Sequence, residues 1–61
     1  MPEIVVFAVE GRTAAEKRGL MKDITDAVVK NFGTAAENVT VQIVESPRDS
    51  KSKGGVPFSD R

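Results

Sequence analysis

Apolar residues run without interruption through positions 4–9, and most of them are β-branched or aromatic. This composition predicts a β-strand over Glu3–Val9. A strand with one face in water alternates apolar and polar residues, and this run shows no such alternation. The sequence therefore predicts that both faces of the strand are covered, as in a parallel sheet or in a sheet packed inside an oligomer.

The pattern becomes helical after Gly11. Thr13 and Glu16 have the spacing of a capping box, which marks the first turn of a helix. Apolar residues then recur every three or four positions, and charged residues fill the opposite side. We predict a helix over Ala14–Phe32 that ends at a C-cap, Gly33. Its apolar face is predicted to contain Leu20, Ile24, Ala27, Val28 and Phe32, with Met21 beside them.

A second strand pattern covers residues 39–45, after a short turn at residues 34–37. One predicted face of this strand carries Val39, Val41 and Ile43, and the other carries Thr40, Gln42 and Val44. Residues 46–53 are polar and predict a loop. The Gly54-Gly55 pair permits a sharp bend before residues 56–58, which we predict to form a short edge hairpin.

Strand, helix and strand in this order form a βαβ unit, whose strands are parallel and joined by a right-handed crossover. We therefore predict an α+β fold: a single βαβ unit with a short C-terminal hairpin, in one domain over residues 1–61. Two strands and one helix leave one face of the sheet uncovered. The fold is predicted to be completed by oligomerisation.

The size of the chain supports self-association. A chain of 61 residues buries only about 60% of its unfolded surface, so its core is small. Domains this small usually add disulfides, a metal or partner subunits. With no Cys and no His, a disulfide is excluded and a structural zinc site is disfavoured. Association of subunits remains, and the partner is another copy or a related chain.

Charge and hydropathy narrow the classes of ligand and location. The formal net charge is zero, which argues against non-specific binding of nucleic acid. Cations nevertheless outnumber anions after Glu45, which favours a small anionic ligand near the C-terminal segment. No stretch approaches the roughly 18 apolar residues of a membrane span, and no signal peptide is visible. The absence of Cys fits a reducing compartment, so we predict a cytoplasmic protein without a membrane partner.

The first candidate for chemistry is Pro2, directly behind Met1. Initiator methionine is normally removed when the next side chain is small, and removal would leave Pro2 as a free secondary amine. An α-amino group has a reference pKa of roughly 7.7–8, and burial or a nearby cation lowers it towards neutrality. Such an amine suits general-base catalysis. The alternative is that Pro2 is only a stiff start to the chain, and with Met1 attached its nitrogen is a tertiary amide without useful basicity.

The second candidate is Arg12, which follows a glycine at the far end of the first strand. Its guanidinium can bind a carboxylate with two hydrogen bonds, or it can be an ordinary solvated loop residue. Ten extended residues separate Pro2 from Arg12 by about 30 Å. The two can therefore share a substrate only across a subunit boundary.

These features resemble the 4-oxalocrotonate tautomerase family of the tautomerase superfamily. The likeness rests on Pro2 behind one methionine, Glu10-Gly11-Arg12-Thr13 after an apolar strand, the long helix, the second strand and the Gly54-Gly55 pair. It implies a tautomerase-like fold, a hexamer built as a trimer of dimers, and an isomerase without a cofactor. In such an enzyme Pro2 would be the general base, and Arg12 would bind the carboxylate of a 2-hydroxymuconate-like dienol or 2-oxo acid.

The chain departs from the pattern of this family at two positions. The second catalytic arginine of the best-known members falls at Thr40, and the aromatic residue that closes their pocket falls at Lys51. We predict that both positions contact the substrate. Thr40 cannot polarise a carbonyl as a guanidinium does. Lys51, Lys53 or Arg48 could supply the missing cation, or these side chains could simply keep a loop soluble.

Two other functions remain open at this point. The chain could be a non-catalytic subunit that pairs with a second tautomerase-like chain in a hetero-oligomer. It could also be a ribbon-helix-helix DNA-binding protein, which likewise starts with a short strand. That fold needs a second helix where residues 39–45 have a strand pattern, and the zero net charge also disfavours it.

Overall fold

A parallel two-stranded sheet forms the centre of the computed structural model, which describes all residues from 1 to 61. Strand β1 covers Glu3–Val9 and strand β2 covers Thr40–Ser46. Their register pairs Glu3 with Thr40 at one end and Val9 with Ser46 at the other. The parallel pairing agrees with the predicted βαβ unit. Both carboxyl ends therefore lie at one edge of the sheet, called here the carboxyl edge, and both amino ends lie at the amino edge.

Helix α1 covers Ala14–Phe32 and connects the two strands. Its predicted caps are both present. The Thr13 hydroxyl accepts a hydrogen bond from the backbone of Glu16, the Glu16 carboxylate accepts one from the backbone of Thr13, and Gly33 ends the helix in the left-handed conformation. These local bonds satisfy backbone groups that a helix leaves unpaired at its ends, and they set its limits.

Short 3₁₀ turns and a small hairpin complete the chain. The turns cover Ala36–Asn38, Arg48–Ser50 and Phe58–Asp60. Strands β3 (Ser52–Lys53) and β4 (Val56–Pro57) are antiparallel and are joined by Gly54 and Gly55. Both glycines have positive φ, at 62° and 83°. This is the geometry of a type I′ turn, which the twist of a two-residue hairpin favours and glycine readily adopts.

Two boundaries differ from the sequence prediction. The second strand was predicted over residues 39–45, but the N–H of Val39 bonds to the carbonyl of Ala36, so Val39 belongs to the preceding turn. Ser46, predicted in a loop, continues the ladder opposite Val9. The predicted loop at residues 46–53 also contains the Arg48–Ser50 turn and strand β3. Only the pairing of Ser46 with Val9 joins residues that are distant in the chain. The bond of Val39 and the pairing of β3 with β4 are local.

The helix packs on one face of the sheet. Ile4, Val6 and Ala8 of β1 pair in register with Val41, Ile43 and Glu45 of β2. Lys17 of α1 contacts Glu45 at 2.7 Å, which identifies this as the face towards the helix. The half-buried side chains of α1 are Lys17, Met21, Ile24, Thr25, Val28 and Val29.

Leu20, Ala27 and Phe32 were predicted on the inner face of the helix but are exposed, and Phe32 keeps 72% of its surface in solvent. A helix of 19 residues is about 28 Å long. Strands of seven residues reach about 23 Å. The last turn of α1 therefore extends beyond the sheet. Two strands about 4.8 Å apart are also narrower than a helix, which leaves the flanks of α1 uncovered.

The opposite face of the sheet has no cover within the chain. Phe7 is 74% exposed and Val5 is 43% exposed, and Phe7 pairs in register with Val44. We call this surface, formed by Val5, Phe7, Gln42 and Val44, the open face. The prediction of a strand covered on both faces is therefore not met by the chain alone.

The isolated chain is far from compact. No residue is buried, and the exposed surface is 4590 Å², whereas a compact protein of 6.6 kDa exposes about 3,900 Å². The radius of gyration is 14.6 Å, compared with about 10.5 Å for a compact domain of this length. The missing core is the physical signature of a chain that packs against other subunits. None of its helices has the length and apolar character needed to cross a membrane.

Candidate active site

Pro2 and Thr40 lie side by side at the amino edge of the sheet. The carbonyl of Pro2 accepts a hydrogen bond from the N–H of Thr40 at 3.0 Å, directly before the pairing of Glu3 with Thr40. Pro2 is half-buried, whereas Met1 is 92% exposed. The position of the Pro2 ring is thus fixed by the sheet, and Met1 adds almost no packing.

Arg12 lies beyond the other end of β1, at the carboxyl edge. The N–H of Glu10 bonds to the carbonyl of Ser46 at 2.9 Å, and this bond ends the ladder. Gly11 then turns the chain with φ of 123°, a conformation that side chains rarely allow. Arg12 leaves the sheet just before the helix cap, and its side chain is 74% exposed.

Glu16 holds the guanidinium of Arg12. Nη1 of Arg12 lies 3.6 Å from Oε2 of Glu16. The other oxygen, Oε1, accepts hydrogen bonds from the backbone N–H and the hydroxyl of Thr13, each at 3.1 Å. These bonds, the backbone one first, lower the pKa of Glu16, and Arg12 adds to the effect. The carboxylate therefore stays ionised at neutral pH and links the helix cap to Arg12.

The sequence analysis used Glu16 only as a capping residue and missed its contact with Arg12. The signal was present, because residues four positions apart at the start of a helix lie on the same side.

A shallow depression of about 200 Å³ lies between the helix and the carboxyl half of the sheet. Its apolar lining consists of Val6, Ala8, Val9, Leu20 and Ile43, and its charged lining consists of Arg12, Glu16, Lys17 and Glu45. The ammonium of Lys17 and the carboxylate of Glu45 are 2.7 Å apart. The charges of this depression are thus largely compensated within the chain. Of its two cations, Arg12 is more exposed to solvent than Lys17.

Arg48 also reaches the carboxyl edge. Its backbone N–H donates to Oε1 of Glu10 at 3.4 Å. Its guanidinium lies over Gly11, where an added Cβ atom would be 3.5 Å from Nη2. The structure therefore places Arg48 beside the residue that precedes Arg12.

Lys51 and Lys53 lie in the C-terminal segment, and their carbonyl groups fix its backbone. The carbonyl of Lys51 accepts from the N–H of Phe58 at 2.8 Å, and that of Lys53 accepts from Nη2 of Arg61 at 3.1 Å. The guanidinium of Arg61 also lies 5.3 Å from the centre of the Phe58 ring. Lys51 is half-buried and Lys53 is exposed. Neither ammonium group has an ion-pair partner in the chain.

The structure therefore places Pro2 beside Thr40, and Arg48 beside Gly11, the residue before Arg12. It does not bring these two pairs to one place within the chain, because they lie beyond opposite ends of a strand about 23 Å long. The chain has no group of three His, Cys, Asp or Glu residues arranged to hold a metal ion.

Comparison with known proteins relates this chain to tautomerases. The family model described as "Tautomerase enzyme" matches residues 2–61. A probable tautomerase from Bradyrhizobium diazoefficiens is 52% identical over 61 residues, which cover this whole chain and 91% of that protein. The 2-hydroxymuconate tautomerase of Bacillus subtilis is 37% identical over 60 residues, which cover 98% of this chain and 97% of that protein.

Solved structures show the same relationship. The crystal structure of a 4-oxalocrotonate tautomerase homologue has a TM-score of 0.93 at 36% identity, over 100% of this chain and 97% of that chain. The predicted resemblance and the predicted α+β fold are both confirmed. With its βαβ unit and C-terminal hairpin, the chain belongs to the tautomerase family of isomerases.

Proposed function

We propose that the protein is a cofactor-independent tautomerase of small enol or 2-oxo acids, and that Pro2, exposed by removal of Met1, is its general base. The observation that carries this proposal is the position of Pro2. In a chain that matches the tautomerase family from residue 2 onwards, the sheet holds Pro2 half-buried through its carbonyl and leaves its nitrogen side attached only to an exposed Met1.

The proposed reaction is a proton transfer. Once Met1 is cleaved, the neutral secondary amine of Pro2 takes the proton from the enol hydroxyl, and the resulting ammonium returns a proton to carbon. The keto product forms without net change in the enzyme. A base with a pKa near the working pH is effective in both steps. The hydrogen bond that joins Pro2 to β2 uses the carbonyl of Pro2 and the N–H of Thr40. The amine of Pro2 takes no part in this bond and is available to the substrate.

The proposed substrate carries a carboxylate, and Arg12 binds it. Arg12 is exposed, and its single carboxylate contact, with Glu16 at 3.6 Å, is too long to be a strong hydrogen bond. Its guanidinium therefore keeps donors available for a ligand. The name of the Bacillus subtilis relative, 2-hydroxymuconate tautomerase, makes 2-hydroxymuconate the first compound to test. Thr40 next to Pro2, and Lys51 in the C-terminal segment, are further proposed substrate contacts.

The proposed site is shared between subunits, and the assembly is a homo-oligomer. Pro2 and Arg12 are too far apart within one chain to contact one small substrate. The open face, with Phe7 74% exposed, and an exposed area well above that of a compact protein of this mass both require a partner surface. A hexamer arranged as a trimer of dimers satisfies these requirements, and a hetero-oligomer with a related chain would do so as well.

Mass spectrometry combined with a ketonisation assay tests the proposal. Native protein should have the mass of a chain that starts at Pro2, and it should ketonise 2-hydroxymuconate or phenylenolpyruvate. Protein that keeps Met1, in which the Pro2 nitrogen is an amide, should lose about 10²–10⁴ in kcat/KM, the usual contribution of a general base. Replacing Pro2 by Ala exchanges the rigid secondary amine for a primary amine and should lower kcat/KM by less. The same variant should keep its sedimentation coefficient and circular dichroism spectrum, since the Pro2 carbonyl remains available to Thr40.

A native chain that retains Met1, or a correctly processed chain that turns over no enol, would contradict the proposal. Either result would support the non-catalytic subunit instead.

A further inference from the structure

Arg48 is held at the carboxyl edge by its own backbone. It begins the Arg48–Ser50 turn immediately after Pro47, and its N–H donates to Oε1 of Glu10. Glu10 is itself anchored, because its N–H bonds to the carbonyl of Ser46. The start of the Arg48 side chain is thus fixed relative to the segment that carries Arg12.

The Arg48 guanidinium packs against the backbone of Gly11. A Cβ atom at position 11 would lie 3.5 Å from Nη2 and 3.9 Å from Nε of Arg48. The guanidinium therefore lies close to the residue that directly precedes Arg12. Gly11 therefore has Arg12 as its neighbour in the chain and the guanidinium of Arg48 beside its backbone.

Arg48 differs from the other cations of this edge in lacking a carboxylate partner. Arg12 lies 3.6 Å from Glu16, and Lys17 lies 2.7 Å from Glu45. The guanidinium of Arg48 makes no hydrogen bond and no ion pair within the chain. Its donors, five N–H groups in a fixed plane, remain available to an anion.

We propose that Arg48 is a substrate-binding residue and that its guanidinium holds the same substrate carboxylate as that of Arg12. This inference rests on the proposed function. A carboxylate has two oxygens and about four lone-pair directions, so it can accept bonds from two guanidinium groups at once. Arg12 alone is partly neutralised by Glu16, whereas the pair retains a net positive charge. Arg48 thereby supplies a second cation to the site, which Thr40, at the position of the family's second arginine, cannot supply.

The first test is the steady-state kinetics of Arg48→Gln with 2-hydroxymuconate. We expect KM to rise roughly ten- to hundredfold, the effect of losing a charge-assisted hydrogen bond, with kcat within about twofold of the wild type. The matched control is Arg18→Gln, which removes the same charge from an exposed position of α1 and should leave KM unchanged. An unchanged KM in Arg48→Gln would refute the proposal.

The second test asks whether both arginines bind one carboxylate. Two residues that hold the same group are energetically coupled, so the KM of the double variant Arg12→Gln/Arg48→Gln should rise by less than the product of the two single effects. Independent, multiplicative effects would show that Arg48 does not share the carboxylate of Arg12.

Direct binding separates this inference from the proposed reaction. Muconate, the diacid without the hydroxyl group, cannot ketonise, and its affinity can be measured by calorimetry. Arg48→Gln should weaken muconate binding roughly ten- to hundredfold, whether or not the wild type turns over an enol. Equal muconate affinity in wild type and variant would overturn the inference, and so would loss of assembly in sedimentation, which would make Arg48 an interface residue instead.

Discussion

The amino and carboxyl edges of the sheet differ in the chemistry they offer. The amino edge carries Pro2 and Thr40, which bond to each other through their backbones. The carboxyl edge carries Arg12 and Arg48 around Gly11. One edge therefore offers a potential base without a cation, and the other offers cations without a base. Neither edge is a complete site for an anionic enol.

The proposed site, which needs both Pro2 and Arg12, therefore makes catalysis depend on assembly. A strand of seven residues keeps the two edges apart, so only a neighbouring subunit can bring an arginine to a proline. The same neighbour can cover the open face. We therefore expect substitutions at the open face to affect both edges, and substitutions at one edge to affect only its own step.

The largest effect should follow from placing a charge on the open face. Phe7→Asp puts a carboxylate where an aromatic side chain is 74% exposed in the isolated chain. An unpaired charge in a subunit interface is costly, and a monomer of this size has little core of its own. Sedimentation and circular dichroism should show dissociation together with unfolding, and activity should be lost.

Asn38→Asp is the control for this variant, because it adds the same charge at an exposed polar position. It should stay assembled and folded. A stable, folded 6.6 kDa monomer from the wild type or from Phe7→Asp would break the proposed link between folding and assembly.

The next effect concerns the amino edge, where Thr40→Arg adds the missing cation beside Pro2. A donor to a developing oxyanion typically contributes 10²–10³ in rate, about 2.7–4 kcal/mol. If the natural protein lacks this donor, kcat for 2-hydroxymuconate should rise by about one order of magnitude or more, given imperfect placement. Lys51→Ala is the competing experiment. If the natural enzyme is already fast and Lys51→Ala slows it, Lys51 is the donor to the oxyanion, and the site does not lack one.

An effect of similar size, but a loss of activity, is expected at the carboxyl edge. Arg12→Ala should lower kcat/KM by an amount that corresponds to about 1.5–3 kcal/mol of transition-state stabilisation, the value of a charge-assisted hydrogen bond. Because Arg12 is exposed and its contact with Glu16 is long, the melting temperature of the variant should be close to that of the wild type. The measurements are steady-state kinetics and thermal unfolding of the same preparation. Unchanged kinetics would remove Arg12 from the proposed site.

The smallest effect should come from Glu16, which connects Arg12 to the helix cap. Hydrogen bonds from Thr13 lower its pKa below the ordinary value of 4.5. The stability that this carboxylate adds is therefore present above pH 4.5 and is lost as pH falls through the lower folded pKa. Glu16→Gln should melt a few degrees below the wild type at neutral pH, and the difference should shrink as the pH falls below 4.5.

Glu37→Gln provides the control for the pH series, because the Glu37 carboxylate has no hydrogen-bond partner in the chain. It should melt close to the wild type throughout. A Glu16→Gln difference that stays constant with pH would show that the charge of Glu16 contributes nothing to stability.

The sequence predicted the first two elements to the residue. The limits of β1 and α1 agree with the prediction because their signals are local: an apolar β-branched run, a capping box at Thr13 and Glu16, and a terminal glycine. The hairpin at Gly54 and Gly55 was also visible, since two consecutive residues with positive φ strongly favour glycine. Candidate chemistry at Pro2, Arg12, Thr40 and Lys51 could be named from residue type and family resemblance alone.

Only the tertiary structure decided which of these residues meet. The pairing of Thr40 with Pro2, the packing of Arg48 on Gly11 and the extension of β2 to Ser46 opposite Val9 depend on residues more than thirty positions apart in the chain. The apolar pattern likewise placed Phe32 inward, whereas the helix outruns its sheet and exposes it. Hydrophobic spacing reports which side of an element is apolar, but the extent of the surface that covers it is a property of the packed molecule.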